Sequence, residues 1–297
     1  MLLLLAFAQA LPPLRSADTP HIMKRTGPPR RVVSPPPSRT TMTEEEEEED
    51  QIFPLDELLD RSSRVTFIRR VYGLLSTSLG LTAIACIACA ANPRAISSLL
   101  LDPLGQIFLG VCAAVGVAAP LALLAPSLRH DPAISIPIFA AFSFAEAAVL
   151  GVACTAFKLQ TIVRALAQTA AATLGLTVYA YQPNPNLDLT PFGSVLFASL
   201  LVLTVAGILG AVLRIPWMAT AYSAFGAVLF SLFIVHDTEK IVGGTHRRHT
   251  HLDTRDYVLG AITLYLDIAN LFLFLLRLSA AASGAGGGDD DNHHHHF

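Results

Sequence analysis

The chain is poor in charge. Only 14% of its 297 residues are Asp, Glu, Lys or Arg, against about 25% in an ordinary soluble domain. It has no basic excess either, since the net charge is −3, and that excludes nucleic-acid binding driven by overall basicity. Four cysteines are too few for a disulfide scaffold, and none is spaced with His as a zinc site would be. What the chain has in abundance is apolar residues, at 53%. A multi-span membrane protein fits this balance if the few charges lie outside the apolar runs.

They do. From Val71 onward, long apolar runs alternate with short polar ones. Seven candidate spans are predicted at 71–91, 103–125, 133–157, 165–182, 191–213, 215–237 and 258–276. Each is near the length a helix needs to cross about 30 Å of hydrocarbon. Together they make up about half the chain, yet they hold only Glu146, Asp237 and Asp267 among the 20 basic and 23 acidic residues. Hydrocarbon forces backbone groups into helices and charge into loops. The predicted fold is therefore an all-α membrane protein, a seven-helix transmembrane bundle. The spans are rich in Ala, Gly, Ser and Thr, which suits close helix packing. The fourth span is the least apolar, with Gln168 and Thr173. The fifth and sixth are separated only by a turn at Arg214, where Pro216 suits the first turn of a new helix.

The predicted domains are an N-terminal arm at 1–60, the transmembrane unit at 61–278 and a tail at 279–297. The arm holds nine of the 19 prolines and an acidic run from Glu44 to Asp50, so it is expected to be disordered. Met1–Ala10 reads either as a short signal-peptide core or as sequence ahead of a later start at Met23 or Met42. The closing Asp-rich and His-rich stretch is low-complexity and receives no function.

Basic residues near span ends set the orientation. With the N-terminus inside, the cytosolic flanks hold Arg61, Arg64, Arg69, Arg70, Arg129, Lys240, Arg247, Arg248 and Arg255. The opposite flanks hold Arg94, Lys158, Arg164, Arg214 and Arg277. The balance predicts a cytosolic N-terminus. The C-terminus then lies outside if the last span crosses fully, and inside if it dips in and returns.

An ionisable group inside a span is costly, from about 2.5 to more than 10 kcal/mol depending on the reference, and needs a reason. Asp237 closes the sixth span and Asp267 lies within the seventh. The two spans are consecutive and antiparallel, so a tilt of the sixth helix would let the carboxylates meet. Two carboxylates in a dry site resist being ionised together and titrate as a unit. Such a pair can share a proton at one pH and admit a cation at another. Carboxylates are also Ca²⁺ ligands, although two make only a weak site. The plainer alternatives are that Asp237 is an interfacial residue reaching water and that Asp267 bonds Asn270 or a neighbouring helix. Glu146 either lines the same cavity or is a neutral acid bonded within the bundle. Asn270 is a second candidate for the lining. His236 reads as an ordinary interfacial histidine, because adjacent helix positions diverge by about 100°. Cys86 and Cys89 read as small packing residues. The loop 242–256, with His246, His249 and His251, reads as solvated.

The seventh span, Asp256-Tyr-Val-Leu-Gly-Ala-Ile-Thr-Leu-Tyr-Leu-Asp-Ile-Ala-Asn-Leu-Phe-Leu-Phe-Leu-Leu-Arg-Leu278, closely resembles the signature of the Bax inhibitor family, in its lifeguard branch. Phe67-Ile-Arg-Arg-Val-Tyr-Gly73, Pro132–Gly151 and Val235-His-Asp-Thr-Glu-Lys-Ile241 resemble its first, third and sixth spans. The matches run in order over about 60–278. His236 departs from the pattern, which usually has an aromatic or apolar residue there. The arm and the His-rich loop have no counterpart in it.

The resemblance implies a bundle with the last helix central. It implies a paired-aspartate, pH-sensitive gate of a Ca²⁺ leak at Asp237 and Asp267, with Ca²⁺ as a permeant or weakly held ion and no cofactor. It implies suppression of cell death at endoplasmic reticulum or Golgi membranes, through Ca²⁺ and protons or through contacts with cell-death regulators. A non-conducting scaffold is the alternative reading, and a proton- or metabolite-coupled transporter is another. Intramembrane aspartyl proteases also place one Asp in each of two spans, but resemble Tyr-Asp and Gly-x-Gly-Asp followed by Pro-Ala-Leu. Here the aspartates follow His236 and Leu266, so no enzymatic activity is expected.

Overall fold

A computed structural model describes residues 55–182, 189–213, 216–242 and 255–285 of the chain. The signal and start-site readings, the arm up to residue 54, the turn at Arg214, the His-rich loop over 243–254 and the tail from 286 lie outside the described residues.

Among the described residues every regular element is helical. The seven long helices are α1 (Leu55–Ala91), α2 (Pro103–Ala122), α3 (Pro132–Cys154), α4 (Leu159–Ala180), α5 (Gly193–Leu213), α6 (Pro216–Val242) and α7 (Tyr257–Ala285). All seven contain a stretch long and apolar enough to cross a membrane. Two short helices, Pro93–Leu101 and Pro126–Arg129, connect α1 to α2 and α2 to α3. The predicted all-α, seven-span architecture is the observed one.

Proline marks the starts. Pro93, Pro103, Pro126, Pro132 and Pro216 each open a helix, where the missing N–H would be unsatisfied anyway. At α3 the preceding Asp131 adds a side-chain cap, accepting from the Ala133 N–H at 2.9 Å. Pro120 and Pro137 sit inside α2 and α3, as membrane helices tolerate.

The helix ends differ from the sequence expectation where polar residues are used by the protein. The sixth span was expected to stop at Asp237, but α6 runs to Val242. Arg64 of α1 donates to the carbonyls of Lys240 at 3.0 Å and Val242 at 3.4 Å. That charge satisfies the last turn of α6, whose carbonyls have no partner in the helix. The seventh helix is one unbroken element of 29 residues, about 43 Å long at 1.5 Å per residue. It has the length to cross rather than dip.

The helices do not share the core equally. α7 packs against α1, α3, α4 and α6, whereas α2 packs chiefly on α3 and α5 chiefly on α6. In the most apolar stretch of α7, 78% of residues are buried; the corresponding shares elsewhere run from 17% in α5 to 50% in α6. The last helix is therefore the axis of the bundle. Its near face is defined here as the side on which α1, α3, α5 and α7 begin.

Candidate functional site

The polar groups of α7 and its neighbours form the interior that lipid cannot supply. Asp267 is fully buried at 0% exposure, and Asp237 on α6 is buried at 4%. Asp237 is thus no water-reaching residue at a helix end. α6 ends and α7 begins on the near face, and the two pack directly. From those ends Asp237 is about 7–8 Å deep and Asp267 about 15 Å deep, taking 1.5 Å per residue. Lys240 Nζ lies 3.7 Å from Asp237 Oδ1, one turn further along α6. Asn270 is buried on α7, and its amide donates to the Leu266 carbonyl of its own helix at 2.7 Å.

Glu146 is on α3, buried at 3%. Its carboxyl fills the space left by the absent side chain of Gly116 on α2. A Cβ at that glycine would meet Glu146 Oε1 at 2.5 Å. Among the described residues, Glu146 Oε2 has no hydrogen-bond partner. Close by, Tyr265 of α7 donates its phenol hydrogen to Thr82 Oγ1 of α1 at 2.8 Å, since the Thr82 hydrogen is given to the Ser78 carbonyl at 3.0 Å. The Phe142 ring of α3 meets the Tyr265 ring edge-on, with centroids 5.3 Å apart. These contacts pin the middle of α7 to α1 and α3.

His236 overturns its sequence reading. It is buried at 1%, and its Nδ1 donates to the Leu189 carbonyl at 2.9 Å, because a carbonyl can only accept. Three residues on, Glu239 Oε2 accepts from the Leu189 N–H at 3.0 Å. The two side chains lie one turn apart on α6 and grip both backbone groups of one residue ahead of α5. Nothing in the local sequence marks Leu189 as their partner. The clue was the run His-Asp-Thr-Glu-Lys itself, which holds more polar atoms than one water boundary needs.

A second group closes the near face. Asp256, just before α7, has its Oδ1 at 3.0 Å from both Arg129 Nε and His130 Nε2. The Arg70 guanidinium stands over the Tyr257 ring, 5.4 Å from its centroid. Beside them the Tyr72 and Tyr181 rings lie 6.5 Å apart. On the far face, Cys86 on α1 and Cys154 on α3 are buried thiols. Cys89 packs where Gly151 leaves room. Among the described residues no group of three or more His, Cys, Asp or Glu side chains could hold a metal ion.

Comparison with known proteins gives a consistent answer. A family model described as inhibitor of apoptosis-promoting Bax1 matches residues 64–284. The chain is 32% identical over 214 residues to Protein lifeguard 4 of Mus musculus, covering 72% of this chain and 84% of that one. It is 32% identical over 215 residues to the Golgi anti-apoptotic protein of Vaccinia virus (strain Lister), covering 72% and 85%. It is 31% identical over 216 residues to a BI1-like protein of Arabidopsis thaliana, covering 71% and 79%.

Proposed function

The chain belongs to the Bax inhibitor and lifeguard family of multi-pass membrane proteins, and from that premise we propose that it restrains apoptosis as a pH-sensitive Ca²⁺ leak channel or regulator of Ca²⁺ release. The family's role is anti-apoptotic and not enzymatic. The membrane is that of the endoplasmic reticulum or Golgi, a reading supported by the viral Golgi relative, with the N-terminus in the cytosol. The working unit is residues 61–278, with the arm and tail as appendages.

The observation that carries the reading is Asp267, fully buried in the central helix and packed against the helix that holds buried Asp237. A bundle rarely keeps two carboxylates in its interior without a use for their charge. In the closed state the two share one proton across α6 and α7. Loss of that proton adds repulsion and loosens the contact. The sign follows: leak is low at acid pH on the near face and rises as pH rises through the pair's titration. Ca²⁺ is the passing ion, because two carboxylates fall short of the six to eight oxygens a stable Ca²⁺ site uses. Glu146 and Asn270 line the path or shape the packing beside it.

The test is Ca²⁺ flux into liposomes holding the purified protein, with Asp237→Asn and Asp267→Asn alongside. Wild type is expected to leak with a pH dependence that both variants lose. No flux from wild type would replace the channel with a scaffold acting through protein contacts. Flux with unchanged pH response in both variants would keep the channel and discard the gate.

A further inference from the structure

A cavity of about 360 Å³ opens at the near face, between the stretch of α1 from Ser62 to Arg70 and the starts of α3 and α7. That is at the small end of the range for ligand pockets. Its wall holds Arg70 of α1, His130 ahead of α3 and Arg255 ahead of α7, together with the hydroxyls of Ser62, Ser63 and Thr66. No carboxylate is among its described lining residues.

The charges around it are not equivalent. Asp256 already takes Arg129 and His130. Arg64 is spent on the end of α6. Arg70 pairs with no carboxylate among the described residues; its contact is the face of Tyr257, itself a lining residue. Stacking on an aromatic ring holds a guanidinium in one orientation and leaves its N–H edge free to bind. Thr66 gives its hydrogen to the Ser62 carbonyl at 3.0 Å, and a hydroxyl of that kind can turn towards a stronger acceptor. The result is a concave, donor-rich site at the membrane surface, walled by three separate helices.

We propose that this cavity binds a phosphomonoester, carried either on a lipid headgroup or on a free phosphorylated polyol. Guanidinium groups match phosphate oxygens in forked pairs, and the hydroxyls supply the remaining donors. A phosphodiester with a single negative charge uses fewer of them. The position at the ends of the spans puts the site at headgroup level, and the cavity is open rather than enclosed, which gives a soluble ligand access too. Because the wall joins α1, the start of α3 and the start of α7, an occupant ties the central helix to its neighbours at this face. The site shares no residue with the carboxylates of α6 and α7, so it stands or falls apart from the gate.

The experiment uses the full chain in phosphatidylcholine nanodiscs. Three probes are titrated: phosphatidylinositol 4,5-bisphosphate in the disc, soluble inositol 1,4,5-trisphosphate, and phosphatidylserine as an anionic lipid without a monoester. Arg70→Gln is compared with Arg69→Gln, which removes the same charge from an exposed neighbour outside the cavity. Arg255→Gln is the second variant should Arg70→Gln fail to fold. Saturable binding of a monoester probe is expected, weakened about tenfold or more by Arg70→Gln or Arg255→Gln and less than about twofold by Arg69→Gln. Binding of the lipid alone identifies a headgroup, and binding of the soluble probe alone a free polyol phosphate. Equal affinity for phosphatidylserine, equal weakening by Arg69→Gln, or no binding of either monoester would overturn the proposal.

Discussion

The fifth and seventh helices are both strongly apolar, the fifth slightly more so, yet one faces lipid and the other is the axis of the bundle. Among the described side chains of α5 the buried ones are Leu196, Leu200 and Leu203, one stripe at helical spacing. Val195, Val202, Val205, Ile208 and Val212 point outward, each more than half exposed. On α7 burial runs round most of the circumference, and Tyr265, Asp267, Asn270 and Ser279 are buried with the apolar residues. The difference teaches that in hydrocarbon, hydropathy reports only that a helix spans. Which helix is central is reported by its polar atoms, because they need protein around them. α5 settles its own hydroxyls locally: Ser199 and Thr204 bond carbonyls one turn back, at 2.9 and 2.8 Å.

The comparison breaks first at Tyr265. It is fully buried, bonded to Thr82 and packed edge-on against Phe142. Truncation to Ala removes a large ring and leaves Thr82 short of a donor, so a loss of about 3–5 kcal/mol is expected. Reversible unfolding in mixed micelles reads it. A loss under about 1 kcal/mol would mean that the middle of α7 is not the packed axis described above.

The next effect concerns glycine. Gly226 of α6 faces the Phe274 ring of α7, and a Cβ there would run into that ring. Phe274 cannot easily swing aside: Phe230 stacks on it at 5.8 Å and Tyr222 meets it edge-on at 5.4 Å. Gly226→Ala is therefore expected to cost about 1–3 kcal/mol. Gly175 of α4 has nothing within 4 Å of the equivalent position, so Gly175→Ala is expected to be neutral or stabilising by up to about 1 kcal/mol. Thermal melting of the two variants side by side gives the contrast, and equal shifts would undo it.

The sequence carried the spans clearly and the site only in part. Seven helices were legible because hydrocarbon permits no other arrangement of such runs. The ends were less so. The fourth span was expected from residue 165, but α4 begins at Leu159, since Gln160 and Arg164 interrupt the apolar pattern without interrupting the helix. Asp237, Asp267 and Glu146 stood out as charges in apolar runs, and all three are buried. The roles of His236 and Glu239 were not legible, because their partner is the backbone of Leu189, about 50 residues earlier. A carbonyl or an N–H has no residue-type signature. In the sequence the near-face arginines carry only a topology signal. That Arg70 and Arg255 share a cavity wall depends on α1 passing beside the starts of α3 and α7, which no local pattern records.

The smallest expected effect tests the other side of the comparison. Val202 is 70% exposed on the outer face of α5. Val202→Ala removes two methyl groups that touch lipid rather than protein, and lipid tails fill the space they leave. There is no water to exclude and no cavity to hold open, so the change is expected to stay within about 0.5 kcal/mol. Measured in the same micelles and in bilayers, it should be silent in both. A loss confined to bilayers and growing with protein concentration would show that a second copy covers this face. Silence in both leaves α5 as the lipid-facing wall, and α7 as the helix whose buried side chains hold the fold together.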